Sequence, residues 1–408
     1  MNSDNFELEL MAMAYGGHAL GRHEKKTIFV PYTLPGERVE ARLVEDKGRI
    51  AFAEGVRLVD ASADRIYPRC AHFGPGRCWQ CQWQHIDYPA QLLLKQDVLA
   101  DQLARIGGFE DAAVQPVIPS PATWGYNYHM TMIAGEDGVP GFAAADGERI
   151  ILINECHVIH PDLLSLYEAL EPQFDGLRRL RLQIDTNGHS MLTLSMVDDN
   201  APELQLDLPA SVNMLLSDNE PVNLIGSSHA RYTIGDHTFR VTAGSFIRAN
   251  IGQIPNLINT IVRGLAGAAN VLDLYGGVGI TSAFIASDAN LVTLIESYPP
   301  AVTDADVNLE TFDNVDLIEG TVEDVLPELD ETYDAAVLDP PASGLSIEVV
   351  DTLAALRIPR LVYVSSDPAT LARDCQRLVQ HGYQLGTIQP LDFAPHTYYI
   401  DSVAVLEI

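Results

Sequence analysis

The sequence predicts a multi-domain α/β protein: a small N-terminal β-barrel, a central antiparallel-rich domain and a C-terminal doubly wound domain. Three observations carry this. Residues 6–59 break into short strand-like runs at Gly and Pro turns, with no helical period. From Phe246 onward, strand-like apolar runs alternate with helical ones, the pattern of a mostly parallel sheet covered by helices. The chain has 408 residues, enough for several domains that each bury a core. The boundaries this implies are 1–60, 61–240 and 241–408.

Element by element, the barrel strands come from FELELMAMAYGGHALGRHEKKTIFVPYTLPGERVEARLVEDKGRIAFAEGVRLV. A cysteine cluster at 70–81 follows, then YPAQLLLKQDVLADQLARIG, whose apolar spacing predicts a helix over 88–107. Residues 112–240 alternate strands (YHMTMIAG, ERIILINE, RRLRLQID, SMLTLSMV) with loops, and one helix is expected at 161–170. In the C-terminal part, strands NVLDLY, NLVTLIE, VDLIEG, AAVLDPP, RLVYVSS and SVAVLEI are separated by helices, among them 299–311 and 368–381.

Charge is distributed unevenly. The first 95 residues carry 12 basic and 12 acidic side chains, so the whole net charge of −31 lies beyond them. An acidic surface repels phosphate, so any nucleic-acid contact is expected from the N-terminal quarter and from local basic spots such as Arg357, Arg360, Arg373 and Arg377. No apolar run reaches the length of a membrane span, and MNSDNFELEL has no basic-then-apolar leader. A cytoplasmic protein, without membrane partners and monomeric, is the expectation.

Two clusters carry chemistry. Cys70, Cys78 and Cys81 stand in CAHFGPGRCWQC and Cys156 in NECHVIHP, while Cys375 is alone. Four thiolates suit tetrahedral zinc or an iron–sulfur cubane, and spacing does not choose between them. In NVLDLYGGVGITSAF a strand runs into a glycine turn and a helix start, which lets backbone approach a nucleotide. Glu296, at the end of the next strand, suits ribose hydroxyls. That pair of signals is shared by nicotinamide oxidoreductases and adenosylmethionine enzymes. Asp339-Pro340-Pro341 sets a rigid carboxylate at the pocket mouth, which a dehydrogenase does not need.

Taken together, YGGHALGR, VPYTLPGERV, CWQCQWQHIDYPAQLLLK, GSFIRAN, DLYGGVG, LDPP, VSSDPATLARD and DFAPHTYYID resemble, in order, the RNA (uracil-C5) methyltransferases that carry a TRAM domain and a [4Fe–4S] cluster. The resemblance covers nearly the whole chain. It implies a TRAM/OB-like barrel, a Rossmann-like doubly wound domain that binds S-adenosyl-L-methionine (AdoMet), and RNA, in this architecture ribosomal RNA, as partner. It implies Arg248, Asp273, Tyr275, Gly277, Gly279, Glu296 and Asp339 at the cofactor, and Cys70, Cys78, Cys81 and Cys156 at the cluster. Ser366 and Asp401 take the positions of the catalytic pair.

The chain departs from the family pattern at those same places. Ser366 stands where the family has its cysteine nucleophile, and Asp401 where it has a glutamate base. Arg248 replaces a glutamine, Ala342 an arginine, Tyr399 a histidine and Asn127 an arginine, and Ile280 and Thr321 stand at two further cofactor positions. A serine hydroxyl is far less acidic than a thiol and needs an adjacent base, for which Asp367 and His396 are the sequence candidates. Two readings follow: an AdoMet-dependent RNA methyltransferase with altered chemistry, or a non-catalytic paralogue that keeps RNA or cofactor binding. A nicotinamide oxidoreductase with an iron–sulfur centre is disfavoured by DPP and the barrel.

Overall fold

A computed structural model describes residues 5–170, 175–204 and 208–408. Strands β1 (Phe6–Met13), β2 (Ala19–His23), β3 (Lys26–Val30), β4 (Arg38–Asp46) and β5 (Ile50–Asp60) close a barrel in the order β1-β2-β3-β5-β4. Alternation puts Leu8, Leu10, Ile28, Val30, Val39 and Ala41 inside. Closure is tight: a Cβ at Gly21 would stand 2.2 Å from the Glu9 carbonyl on β1, so only glycine fits. Trp83, Ile86 and Val98 share this core with Ile400 from near the C-terminus, so the barrel is anchored to the rest of the molecule.

Helix α1 (Tyr88–Gln102) runs on as a wider π-turn over Leu103–Gly107 and stops at Gly108. There φ is +75°, the left-handed conformation that ends helices. Next come β6 (Ala113–Val114), β7 (His129–Ala134), β8 (Pro140–Ala143), β9 (Ile150–Ile151), α2 (Pro161–Leu170), β10 (Leu177–Ile184), β11 (Ser190–Met196), β12 (Ala210–Leu215) and β13 (Pro221–Ile225). Seven of these strands form one sheet, β13-β12-β11-β10-β7-β8-β9. Its pairs are antiparallel except β11 with β12, where the chain crosses over between them. The hairpin β14 (His229–Ile234) and β15 (His237–Thr242) leaves that sheet: Tyr232, Ile234, Phe239 and Val241 bury themselves in the C-terminal core. The sequence boundary at residue 240 therefore falls inside β15.

The C-terminal part comprises α3 (Ile254–Leu265), β16 (Asn270–Leu274), α4 (Ile280–Ala286), β17 (Leu291–Glu296), α5 (Pro299–Leu309), β18 (Val315–Glu319), α6 (Val322–Val325), β19 (Ala335–Leu338), α7 (Ile347–Leu356), β20 (Arg360–Ser365), α8 (Pro368–Gln380), β21 (Gln384–Leu391) and β22 (Asp401–Glu407). The sheet order is β18-β17-β16-β19-β20-β22-β21-β6. Strands β18 to β20 are parallel, and β22 is antiparallel to both neighbours. Helix α3 buries Ile254, Leu257, Ile258, Ile261 and Leu265, the i, i+3, i+4, i+7 stripe of an amphipathic helix against a sheet. The order of connections reverses between β16 and β19. That reversal opens a crevice at the strands' C-terminal ends, where α/β sheets bind ligands.

Candidate active site

The glycine turn lies at this crevice. Tyr275, at φ +62°, turns the chain out of β16, and Gly277 and Gly279 also have positive φ. A left-handed tyrosine costs backbone energy that surrounding structure must offset, which makes it a marker of function. A Cβ at Gly276 would stand 2.5 Å from Leu294, and one at Gly279 would stand 2.7 Å from Leu309, so the turn is pressed onto β17 and α5. Glu296 holds it from the side: one carboxylate oxygen accepts from Gly277 N at 2.9 Å, the other from Ser297 N (2.7 Å) and Tyr298 N (2.8 Å). Asp273 lies buried beneath and accepts from the Ser282 hydroxyl at 2.7 Å. Burial, the dominant cause, pushes its carboxyl up to about 7.

Arg248, Tyr275, Gly277 and Asp339 line one pocket together with Phe246, Ile247 and the first turns of α3. Asp273, Gly279 and Glu296 are not on its wall; they brace the turn. Arg248 is the central group. Its two terminal nitrogens donate to the two Asp339 oxygens at 2.8 and 2.9 Å, and Nε donates to Asp401 at 3.4 Å.

Sheet register brings the next pair together. Ser365 on β20 pairs with Ser402 on β22. The residue leaving β20, Ser366, and the residue entering β22, Asp401, therefore flank each other at the same sheet end. Asp401 is buried, and burial pushes its carboxyl up to about 6 even though Arg248 pulls the other way. The turn after β20 is braced: the Ser365 hydroxyl donates to Asp367 O and accepts from Asp367 N. Asp367 caps α8, accepting from Ala369 N and Thr370 N at 2.9 Å each.

The two sequence candidates for a base at Ser366 are engaged elsewhere. Asp367 also accepts from the Tyr15 hydroxyl of the barrel at 2.9 Å. His396 is buried, stacks on Trp124 at 3.8 Å, and shares Nδ1 with the Gln91 amide at 3.1 Å. Burial lowers it to about 4, so it is neutral at pH 7. Cys375 lies wholly inside the core on α8. The expected basic spot is largely neutralised: Arg360 pairs with Glu407, and Arg373 and Arg377 share Asp374.

Sequence reasoning missed two supports. Lys95 and Asp392 form a fully buried ion pair at 2.7 Å, and Lys95 also donates to the carbonyls of Ala394 and Tyr399. The signal was a lysine inside the apolar run QLLLK. Tyr15 was the other, an aromatic beside the glycine pair of YGG.

A family model for the TRAM domain matches residues 9–56. An uncharacterized RNA methyltransferase of Streptomyces avermitilis is 32% identical over 99% of this chain and 98% of its own length. One from Gloeobacter violaceus is 34% identical over 98% and 95%. The chain belongs to the TRAM-containing RNA methyltransferase family. A solved structure, the tRNA (uracil-54, C5)-methyltransferase of Pyrococcus abyssi in complex with S-adenosyl-L-homocysteine, covers 98% of the chain and all of its own at TM-score 0.75 and 24% identity, a likeness of fold.

Within this family member, Cys70, Cys78, Cys81 and Cys156 line a common pocket between the 70–81 loop and the segment that follows β9, and none is in a disulfide. Burial pushes Cys78 up to about 12 and Cys156 up to about 11, so neither is a thiolate at neutral pH without a cation beside it. Among the described residues, no three His, Cys, Asp or Glu side chains form a group that could hold a metal ion. The expected ligand set thus shares a pocket without forming a metal-holding group. No helix among the described residues is long and apolar enough to cross a membrane.

Proposed function

We propose that this family member binds AdoMet in the pocket beside the glycine turn and methylates RNA at a uracil C5, with ribosomal RNA as substrate, as a cytoplasmic monomer. The observation that carries the reading is the meeting, at the topological switch point, of the glycine-turn pocket with Asp339, Asp401 and the Ser366 turn. The residues fit the cofactor: an apolar wall from Phe246, Ile247 and Leu257, the glycine backbone of Gly276 and Gly277 on the pocket lining, and a carboxylate at Asp339. Bound AdoMet supplies an electrophilic methyl group. This chain's residues would do the rest. Asp401, ionised above about pH 6, accepts the C5 proton of the base. Ser366 takes the nucleophile's position beside C6, and the two bases the sequence offered it, Asp367 and His396, are engaged elsewhere.

One observation favours a second reading, a protein that binds RNA and cofactor without turnover: Ser366 offers a hydroxyl at the nucleophile's position, and Asp367 and His396 are committed to other partners. Tritiated AdoMet with total RNA, followed by nucleoside analysis, tests the first. Labelled 5-methyluridine is the expected product. AdoMet binding by calorimetry without any labelled nucleoside moves the assignment to the second reading, and NADH binding in place of AdoMet overturns both.

The four cysteines are proposed as ligands of a [4Fe–4S] cluster, with zinc as the alternative. A cubane asks for a wider ring of thiols than a single ion sitting about 2.3 Å from each sulfur. The donor set supports this, since all four cysteines line one pocket. Anaerobically purified protein is expected to be brown and to contain iron and acid-labile sulfide. Colourless protein carrying zinc refutes the cluster.

A further inference from the structure

We propose that Arg248 is the positioning residue of this site, clamping Asp339 and Asp401 into one rigid unit and holding the Asp401 carboxylate for proton acceptance. The inference rests on the methyltransferase reading only in calling Asp401 the base. The clamp itself is geometry. The guanidinium engages both oxygens of Asp339 in the bidentate fork that arginine alone among cations provides, and Nε reaches Asp401. Its carbon lies 5.7 Å from the Phe246 ring centroid and 5.5 Å from that of Phe393, so two aromatic faces fix the plane of the fork. Three segments far apart in sequence, the loop after β15, the end of β19 and the start of β22, are thereby tied together. Arg248 has 14% of its side chain exposed, Asp401 12% and Asp339 26%, so solvent screens the network only weakly.

The arrangement has a chemical consequence. Asp401 faces a second carboxylate, Asp339, and the two cations Arg248 and Lys95, the latter already paired with Asp392. Burial and Asp339 both favour the protonated acid. Arg248 is the direct counter-charge that opposes them. Without it, two carboxylates would share a partly desolvated site and one would keep its proton. Lysine restores the charge but not the fork, and glutamine keeps hydrogen bonding without charge.

The test uses the full-length chain and three variants: Arg248→Gln, Arg248→Lys and, to assign the resonance, Asp401→Asn. Carboxyl carbons of labelled aspartates are titrated by NMR, and thermal unfolding checks that each variant is folded. In Arg248→Gln the Asp401 resonance is expected to titrate about one to three units higher than in the wild type, with Arg248→Lys between them. If product forms, the acid limb of its pH profile moves the same way. An unchanged Asp401 titration in folded Arg248→Gln overturns the clamp, as does full restoration by lysine, which would reduce the role to charge alone. If the titration shifts but no preparation methylates RNA, the clamp stands and the methyltransferase reading fails. If Arg248→Gln does not fold, Arg248→Lys decides by the same shift.

Discussion

At the scale of single residues, the proposed chemistry rests on Ser366 and Asp401. The turn that carries Ser366 is built to present a side chain, braced by Ser365 and capped by Asp367. A thiol with a pKa of about 8.5 is partly ionised at neutral pH, whereas a serine hydroxyl is not. Ser366→Cys is therefore expected to raise 5-methyluridine formation on uracil-containing RNA at least about tenfold, as each 1.4 kcal/mol off a barrier does. Nucleoside analysis checks this; a fully active wild type indifferent to Ser366→Ala would show that the nucleophile lies elsewhere. In the proposed reaction Asp401 sets the pH response. Its carboxyl, raised to about 6, must be ionised to accept a proton, so product formation should fall as pH drops through about 6.

Elements impose a second layer. The loop between β21 and β22, which delivers Asp401, is held by Lys95 of α1 through Asp392 and two carbonyls. Neither side chain of the pair is exposed, so Lys95→Met leaves a buried carboxylate without its partner. It is expected to cost about 3–5 kcal/mol in denaturant unfolding, whereas a cost near that of a surface pair would show that water reaches the site. Asp273 at the end of β16 acts on stability in a defined direction. Its folded value of about 7 exceeds the ordinary 3.8, so the folded protein holds the proton more tightly. That stabilisation is complete below about pH 4 and is lost as pH rises through about 7. Asp273→Asn should flatten the pH dependence of unfolding free energy across this window.

At the scale of the whole molecule, the −31 charge is confined beyond residue 95, and the barrel is the neutral part. RNA approaching an acidic body meets repulsion everywhere except there and at the few cations left unpaired. Photocross-linking to uracil-containing RNA is expected to mark peptides from residues 1–95 ahead of those from the C-terminal sheet; labelling confined to the sheet would contradict a barrel-first encounter. The barrel is also wired to the site. Tyr15 donates to Asp367, and Trp83 and Ile400 share the barrel core. Removing the hydroxyl with Tyr15→Phe should cost about 1 kcal/mol and speed hydrogen exchange at Ala369 and Thr370.

Local periodicity and turn chemistry were enough to read the barrel, the helix–strand alternation, the glycine turn after NVLDLY and the strand end at Ser366, because each is encoded by residues adjacent in the chain. Partnership was not legible in the same way. That Arg248 grips Asp339 and Asp401 depends on three segments meeting at a sheet reversal, and no spacing in the sequence reports it. His396 looked available as a base by its place in the last loop, yet packing commits it to Trp124 and Gln91. The hairpin β14–β15 reads like more of the central strands, and only its apolar face against α5 assigns it to the C-terminal core. Sequence by itself determined which chemical groups the chain can offer to a site, since side-chain chemistry is local. Tertiary structure decided which of them are charged, engaged or aimed at one another, since burial and long-range register set those terms.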